Sequence, residues 1–273
     1  MSRTAPIRSM SVIVPAYNEE SEIPTILPAI RRTLKARGGD WEIIVVDNGS
    51  TDATVERVQP FLEDPRVRLL RNEVNRGKGY SVRRGMLEAR VELRLMCDAD
   101  CAPSLASLPD VEAALSDAEI VAGVRNAPDS QVTRHQPLYR RTVSLGFILL
   151  CRLVMDEPLR DIFCGFKLFT AAAAEGAFAL ARIDGWVFDA EAMAIARALG
   201  FRVVPCGIAW INRPASRLSI PRVVVPALIE LARARLYVRG RVRPDSRAAA
   251  GAPADAAPTL EPASPSSQQQ GGS

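Results

Sequence analysis

Two aspartates spaced i, i+2, Asp98 and Asp100 with Ala99 between them, are the residues of this chain best placed to do chemistry. In extended chain such a pair projects to one side and can share a hard cation. Magnesium or manganese, held by one or two carboxylates and by diphosphate oxygens, neutralises charge on a departing nucleoside diphosphate. The pair therefore points to group transfer from a nucleotide-linked donor, although it could also cap the helix that follows. Further along stand Asp161-Ile162-Phe163-Cys164-Gly165-Phe166-Lys167 and Trp186-Val187-Phe188-Asp189-Ala190-Glu191. The one histidine, His135, is expected at the surface, so a general base would have to be a carboxylate. Asp161, Asp189 and Glu191 lie in aromatic and apolar contexts where burial demands a partner or a function. For Asp189 and Glu191 the alternative is stabilisation of a helix start.

These carboxylates need a frame, and the first half of the chain supplies an α/β pattern. Short runs rich in Val, Ile, Leu and Met, as strands buried on both faces should be, occur at Ser11–Ala16, Glu42–Asp47, Val67–Arg71, Leu93–Asp98 and Glu119–Val124. Helical spacing fills the gaps near Glu20–Arg37, Asp52–Glu63, Lys78–Arg90 and Leu105–Leu115. The pattern predicts a mostly parallel sheet with helices on both faces. The second half predicts helices near Leu138–Met155 and Asp189–Leu199, a strand near Arg202–Trp210 and a final amphipathic helix near Pro221–Arg239.

Ligands of an open parallel sheet bind beyond the carboxyl ends of its strands, so the turns there carry the information. The first, Pro15-Ala16-Tyr17-Asn18-Glu19-Glu20, has no glycine, which argues against a dinucleotide fold, a P-loop ATPase and a nucleotidyltransferase. After the second strand, Asp47 could accept hydrogen bonds from a base or ribose, or belong to a capping turn with Ser50, Thr51 and Asp52. Asn75-Arg76-Gly77-Lys78-Gly79 precedes a helix and suits a phosphate.

The five cysteines form no CxxC pair and no signal peptide is evident, which predicts reduced thiols, no zinc site and a cytoplasmic protein. The formal charge is only +4, yet Arg213–Arg243 holds eight arginines and one acid, Glu230, interleaved with apolar residues. That stretch suits an anionic membrane surface or a phosphorylated partner rather than nucleic acid, or else a solvated helix face. No transmembrane helix is expected, since the apolar run Val143–Cys151 is well short of the roughly 20 residues a span requires. Residues 244–273, rich in Ala, Pro, Ser, Gln and Gly, are expected to be disordered. Residues 1–10 read as an extension and 11–243 as the folded domain.

Together these turns resemble the family 2 glycosyltransferases, in the branch that includes dolichyl-phosphate glucosyltransferase and polyprenyl-phosphate mannose synthase. The likeness runs from about Ser11 to Ser219 and rests on the order of Ser11–Glu20, Val46–Asp52, Asn75–Gly79, Asp98–Asp100 and Cys164–Phe169. It implies a GT-A fold in which Pro15, Tyr17, Glu19 and Asp47 hold the nucleoside. Asp98 and Asp100 would hold Mg2+ or Mn2+ on the diphosphate, with Lys78, Ala99 and Arg125 beside the donor. Arg140, Lys167, Asp189, Glu191, Arg213 and Arg217 are assigned to the acceptor and its phosphate. Asp161 matches the position proposed for the catalytic carboxylate of this branch. A phosphate acceptor, with a second pKa of about 6, needs little help from a base, so Asp161 would orient the acceptor or support the metal.

Ala102 stands where mannose synthases of the branch often carry a glutamine ligand, which favours glucose over mannose. Asn48 replaces the second acid of the common Asp-Asp-Gly-Ser turn. The expected activity is inverting transfer of a hexose from a nucleotide diphosphate sugar, UDP-glucose before GDP-mannose, to polyprenyl phosphate at the cytoplasmic membrane face. A hydroxyl acceptor, or a protein that only binds nucleotide sugar, are the alternatives.

Overall fold

The computed structural model describes residues 8–125, 138–155, 158, 159, 161–211 and 220–242, and of residues 138–145, 147 and 220–226 the backbone alone. Seven strands form one sheet: β1 Met10–Ala16, β2 Trp41–Asp47, β3 Val67–Arg71, β4 Leu93–Cys97, β5 Ile120–Val124, β6 Phe166–Thr170 and β7 Val203–Gly207. Their order is β3-β2-β1-β4-β6-β5-β7. All pairings are parallel except those of β6, which runs against β4 and β5. The five strands expected in the first half lie within one residue of their expected bounds.

Alternation along the strands sends side chains into two cores. Ile13, Ile44, Val46 and Met96 face one side, packed against α3 (Lys78–Glu88), α6 (Ala171–Leu180) and α7 (Phe188–Ala198). Met10, Val12, Val14, Ile43 and Val45 face the other, against α1 (Ile23–Arg37), α2 (Thr54–Val58) and α4 (Leu108–Ala113). Outside the first layer, α5 (Leu138–Met155) and α8 (Ile220–Arg241) pack on each other and on α7. Buried Ala227, Leu231, Ala234 and Val238 make the inner stripe of α8, as an amphipathic helix requires.

Three expectations need correction. The segment Asp52–Glu63 is a short α2 followed by a 3-10 turn at Gln59–Phe61, because Pro60 has no N–H to continue an α-helix. Leu105–Leu115 likewise splits into α4 between two 3-10 turns. Asp98-Ala99-Asp100 is not extended: β4 stops at Cys97, and the Cys101 N–H donates to the Asp98 carbonyl at 2.9 Å, closing a turn. β6 and α6 were not expected at all.

Among the described residues, no helix is long and apolar enough to cross a membrane. Residues 244–273, expected to be disordered, lie outside the described residues.

Candidate active site

From β1 the chain steps outward to β2 and β3, then returns to place β4 on the other side of β1. That reversal sets the carboxyl ends of β1 and β4 side by side, where ligands of such sheets bind, and brings the turn bearing Glu19 within the electrostatic reach of Asp98 and Asp100. The antiparallel β6 begins at the same edge, since Phe166 pairs with Cys97, so it brings Asp161–Gly165 there as well.

Lys78, the first residue of α3, reaches across to Asp98, Nζ to Oδ2 at 2.5 Å. Burial lowers the affinity of this ammonium for its proton, but Asp98 and Asp189 offset that and hold its pKa above the ordinary value. Burial, reinforced by the charges of Asp100, Glu22 and Asp98, pushes Glu19 up to about 7. Crowded carboxylates of this kind suit a hard cation. Asp98 Oδ1 is buried and has no hydrogen-bond partner, which also fits a metal ligand. Among the described residues no cluster of three or more acidic, His or Cys side chains could enclose a cation. A metal held by Asp98 and Asp100 would complete its shell with diphosphate oxygens and water. Ala99 turns its methyl into the core, so only its backbone is offered to a donor. Gly165 backs the site: its carbonyl accepts the Asp98 N–H at 2.9 Å, and a Cβ there would overlap the Asp98 carboxylate.

The turns after β1 and β2 are laced together. Asn18, at φ 55, donates its N–H to Ser50 Oγ at 3.0 Å and accepts from the Thr51 N–H at 2.9 Å. The Glu19 N–H donates to Thr54 Oγ1 at 2.8 Å. Asp47 is buried at the end of β2, with Oδ1 accepting from the Ser50 N–H at 3.2 Å. Its Oδ2 is buried, makes no hydrogen bond and forms an ion pair with Arg71 Nε at 3.8 Å. Asn48 is no bystander. Its Oδ1 accepts from Asn72 Nδ2 and the Arg76 N–H, both at 3.0 Å, while its Nδ2 donates to Asn75 Oδ1 at 2.9 Å. Asn75 Oδ1 also accepts from the Gly77 N–H, so position 48 must both donate and accept, which aspartate cannot do when ionised.

The phosphate site expected at the start of α3 is otherwise engaged. The N–H groups of Gly79 and Tyr80 donate to the carbonyls of Gly185 and Asp184, each at 3.3 Å. Gly77 and Gly79 are glycines because side chains there would collide with Asp184 and Ile183. What this segment contributes to the site is the Lys78 side chain.

Asp161 is clamped by Arg125, which follows β5. Arg125 Nε and N–H donate to Oδ2 at 2.9 Å, and Nη2 donates to Oδ1 at 2.7 Å. Burial alone would raise the Asp161 pKa, but the hydrogen bonds and charge of Arg125 override it and hold the carboxyl below its usual range. A carboxylate so held is a weak base.

The acceptor role expected of Lys167, Asp189 and Glu191 does not survive their burial. Lys167 has no exposed surface, and its Nζ donates to Asp189 Oδ1 at 2.5 Å and to the Cys164 carbonyl at 2.6 Å. Glu191 Oε2 accepts the N–H groups of Arg182 and Ile183 at 2.8 and 2.7 Å, tying down the loop before α7. Neither acid caps its own helix. Lys167→Met is expected to cost about 3 kcal/mol in urea unfolding, because it strands Asp189, and Lys167→Met with Asp189→Leu should recover most of that. A loss under about 1 kcal/mol for the single variant would show that the pair is not buried as described. The Arg140 side chain, Arg213 and Arg217 lie outside the described residues.

Sequence reasoning assigned Asn48 only a change of local charge and gave Gly165 and Trp186 no role. The signal available for Gly165 is its place in the Cys164–Phe169 motif.

Residues 11–178 match the family described as Glycosyl transferase family 2. A dolichyl-phosphate beta-glucosyltransferase of Dictyostelium discoideum is 33% identical over 77% of this chain and 68% of its own. The Homo sapiens protein of the same name is 30% identical, over 78% and 71%. Among solved structures, glucosyl-3-phosphoglycerate synthase from Mycobacterium tuberculosis, in complex with Mn2+, uridine diphosphate and phosphoglyceric acid, superposes with a TM-score of 0.64. That likeness has 17% sequence identity and covers 84% of this chain and 78% of the other, so it speaks for the GT-A fold alone. With a matched segment that spans β1 through most of α6, and relatives aligned over most of its length, the chain belongs to glycosyl transferase family 2.

Proposed function

We propose that this protein is an inverting hexosyltransferase that moves glucose from UDP-glucose to a polyprenyl phosphate at the cytoplasmic face of a membrane. The observation that carries the choice of acceptor is the Arg125 clamp on Asp161, which occupies both carboxylate oxygens. A hydroxyl acceptor needs a base at that point, whereas a phosphate acceptor is already ionised near neutral pH. Asp161 then serves to orient Arg125, whose guanidinium faces the acceptor phosphate.

Asp47 and Tyr17 hold the nucleoside, with Pro15 and Glu19 beside them. Mg2+ or Mn2+ bound by Asp98 and Asp100 supplies charge neutralisation for the leaving diphosphate. Lys78 keeps Asp98 oriented and adds its own positive charge on the donor side. The relatives named dolichyl-phosphate beta-glucosyltransferase favour glucose over mannose, and their β product is what inversion of an α-linked donor gives.

Membrane contact is supported by the outer helices. Leu149, Leu150 and Leu153 of α5, and Ile229 and Leu236 of α8, are exposed, with the arginines of α8 close by in sequence. None of the five cysteines forms a disulfide, which favours the cytoplasmic side.

The test is turnover of UDP-glucose and GDP-mannose with a short polyprenyl phosphate in neutral or anionic vesicles, with Mn2+ or Mg2+. Glucosylated lipid, formed faster on anionic vesicles and less so at high salt, is the expected result. Transfer only to a soluble hydroxyl compound would overturn the acceptor, and equal rates on both vesicles would remove the anionic surface.

A further inference from the structure

Among the described residues two aromatic side chains are exposed, Tyr17 at 44% and Trp186 at 49%. Trp186 lies at the candidate active site, beside the Lys78–Asp98 pair. Lys78 Nζ is 2.5 Å from Asp98 Oδ2 and 5.4 Å from the centre of the Trp186 ring, so the indole and that carboxylate flank one ammonium group.

The loop that carries Trp186 is held without the indole's help. Glu191 takes the N–H groups of Arg182 and Ile183, Arg83 Nη2 donates to Asp184 Oδ1 at 2.6 Å, and the start of α3 donates to the carbonyls of Asp184 and Gly185. Trp186 is thus a large apolar plate presented rigidly to solvent, which is unfavourable until something covers it.

We infer that Trp186 is the stacking platform for the hexose ring of the nucleotide-sugar donor. The inference rests on the donor reading proposed above. In that reading the donor runs from Asp47 at β2 to the diphosphate at Asp98 and Asp100 beyond β4, and a hexose on that diphosphate comes within reach of the indole beside Lys78. A pyranose has an apolar face of C–H groups that fits an indole, and a two-torsion aromatic side chain loses little entropy in binding it. The chain carries three tryptophans, and Trp41 and Trp210 are only 6% and 7% exposed, so the quenchable fluorescence belongs mainly to Trp186.

The experiment is acrylamide quenching of the full chain with Mn2+ and either UDP or UDP-glucose, with binding of each followed by calorimetry. UDP-glucose is expected to lower the quenching constant at least about twofold and UDP to leave it nearly unchanged, with Trp186→Phe removing the difference. Trp186→Ala should raise the KM for UDP-glucose about fivefold to tenfold, the range of one aromatic contact, while inhibition by UDP is unchanged. Trp186→Phe should recover most of that KM. Equal protection by UDP and UDP-glucose when both bind overturns the inference and leaves the donor reading standing. Protection by polyprenyl phosphate alone assigns the indole to the lipid and overturns it too. If neither nucleotide binds, the donor reading fails and the platform with it.

Discussion

Gly165→Ala is expected to slow sugar transfer about a thousandfold, as much as Asp98→Ala, although residue 165 has no side chain to offer the reaction. The Asp98 main chain is fixed by its N–H bond to the Gly165 carbonyl at 2.9 Å, so the two residues cannot drift apart. A methyl at 165 would occupy the space of the Asp98 carboxylate and force it to rotate away from Lys78. A carboxylate that no longer faces the diphosphate forfeits the metal, and a thousandfold corresponds to roughly 4 kcal/mol of transition-state stabilisation. Steady-state turnover with calorimetric titration of Mn2+ and UDP measures both halves, and a thermal melt separates this from unfolding. Residual activity above about a tenth of wild type in a folded Gly165→Ala protein would mean that the turn relaxes and that Asp98 is not pinned as described.

Legibility from sequence followed the physics of each segment. β1, β2 and β4 could be read because both of their faces are buried, and such strands leave near-continuous apolar runs. β6 could not, because Lys167 interrupts Phe166–Thr170, and only the fold shows that this lysine is neutralised by Asp189 from α7. α6, Ala171–Leu180, is too uniformly apolar to show a helical period, although Thr170 caps it by accepting the Ala173 N–H at 3.3 Å. Missing β6 also hid the reason Asp161 and Gly165 share an edge with Asp98: an antiparallel strand presents its beginning where its neighbours present their ends. The site's carboxylates were visible as residue types. Their division into exposed donors of charge and buried struts was not, because burial of Asp189 and Glu191 depends on partners far away in sequence.

The same distinction decides what Asp161→Asn should do. If Asp161 removed a proton from the acceptor, the rate would depend on its own ionisation and the acid limb of the pH profile would vanish in the variant. Arg125 holds the Asp161 carboxyl below its usual range, so this group is ionised throughout the working pH and contributes no limb of its own near neutrality. The limb should instead follow the acceptor phosphate, with the rate rising as pH passes about 6 and the second proton leaves. Asp161→Asn is therefore expected to lower kcat about a hundredfold, because Arg125 loses its bidentate partner and its aim, while the acid limb stays where it was. The measurement is kcat against pH for both proteins on a polyprenyl phosphate acceptor. An acid limb present in wild type and absent in Asp161→Asn would make Asp161 the base and reopen the hydroxyl acceptor.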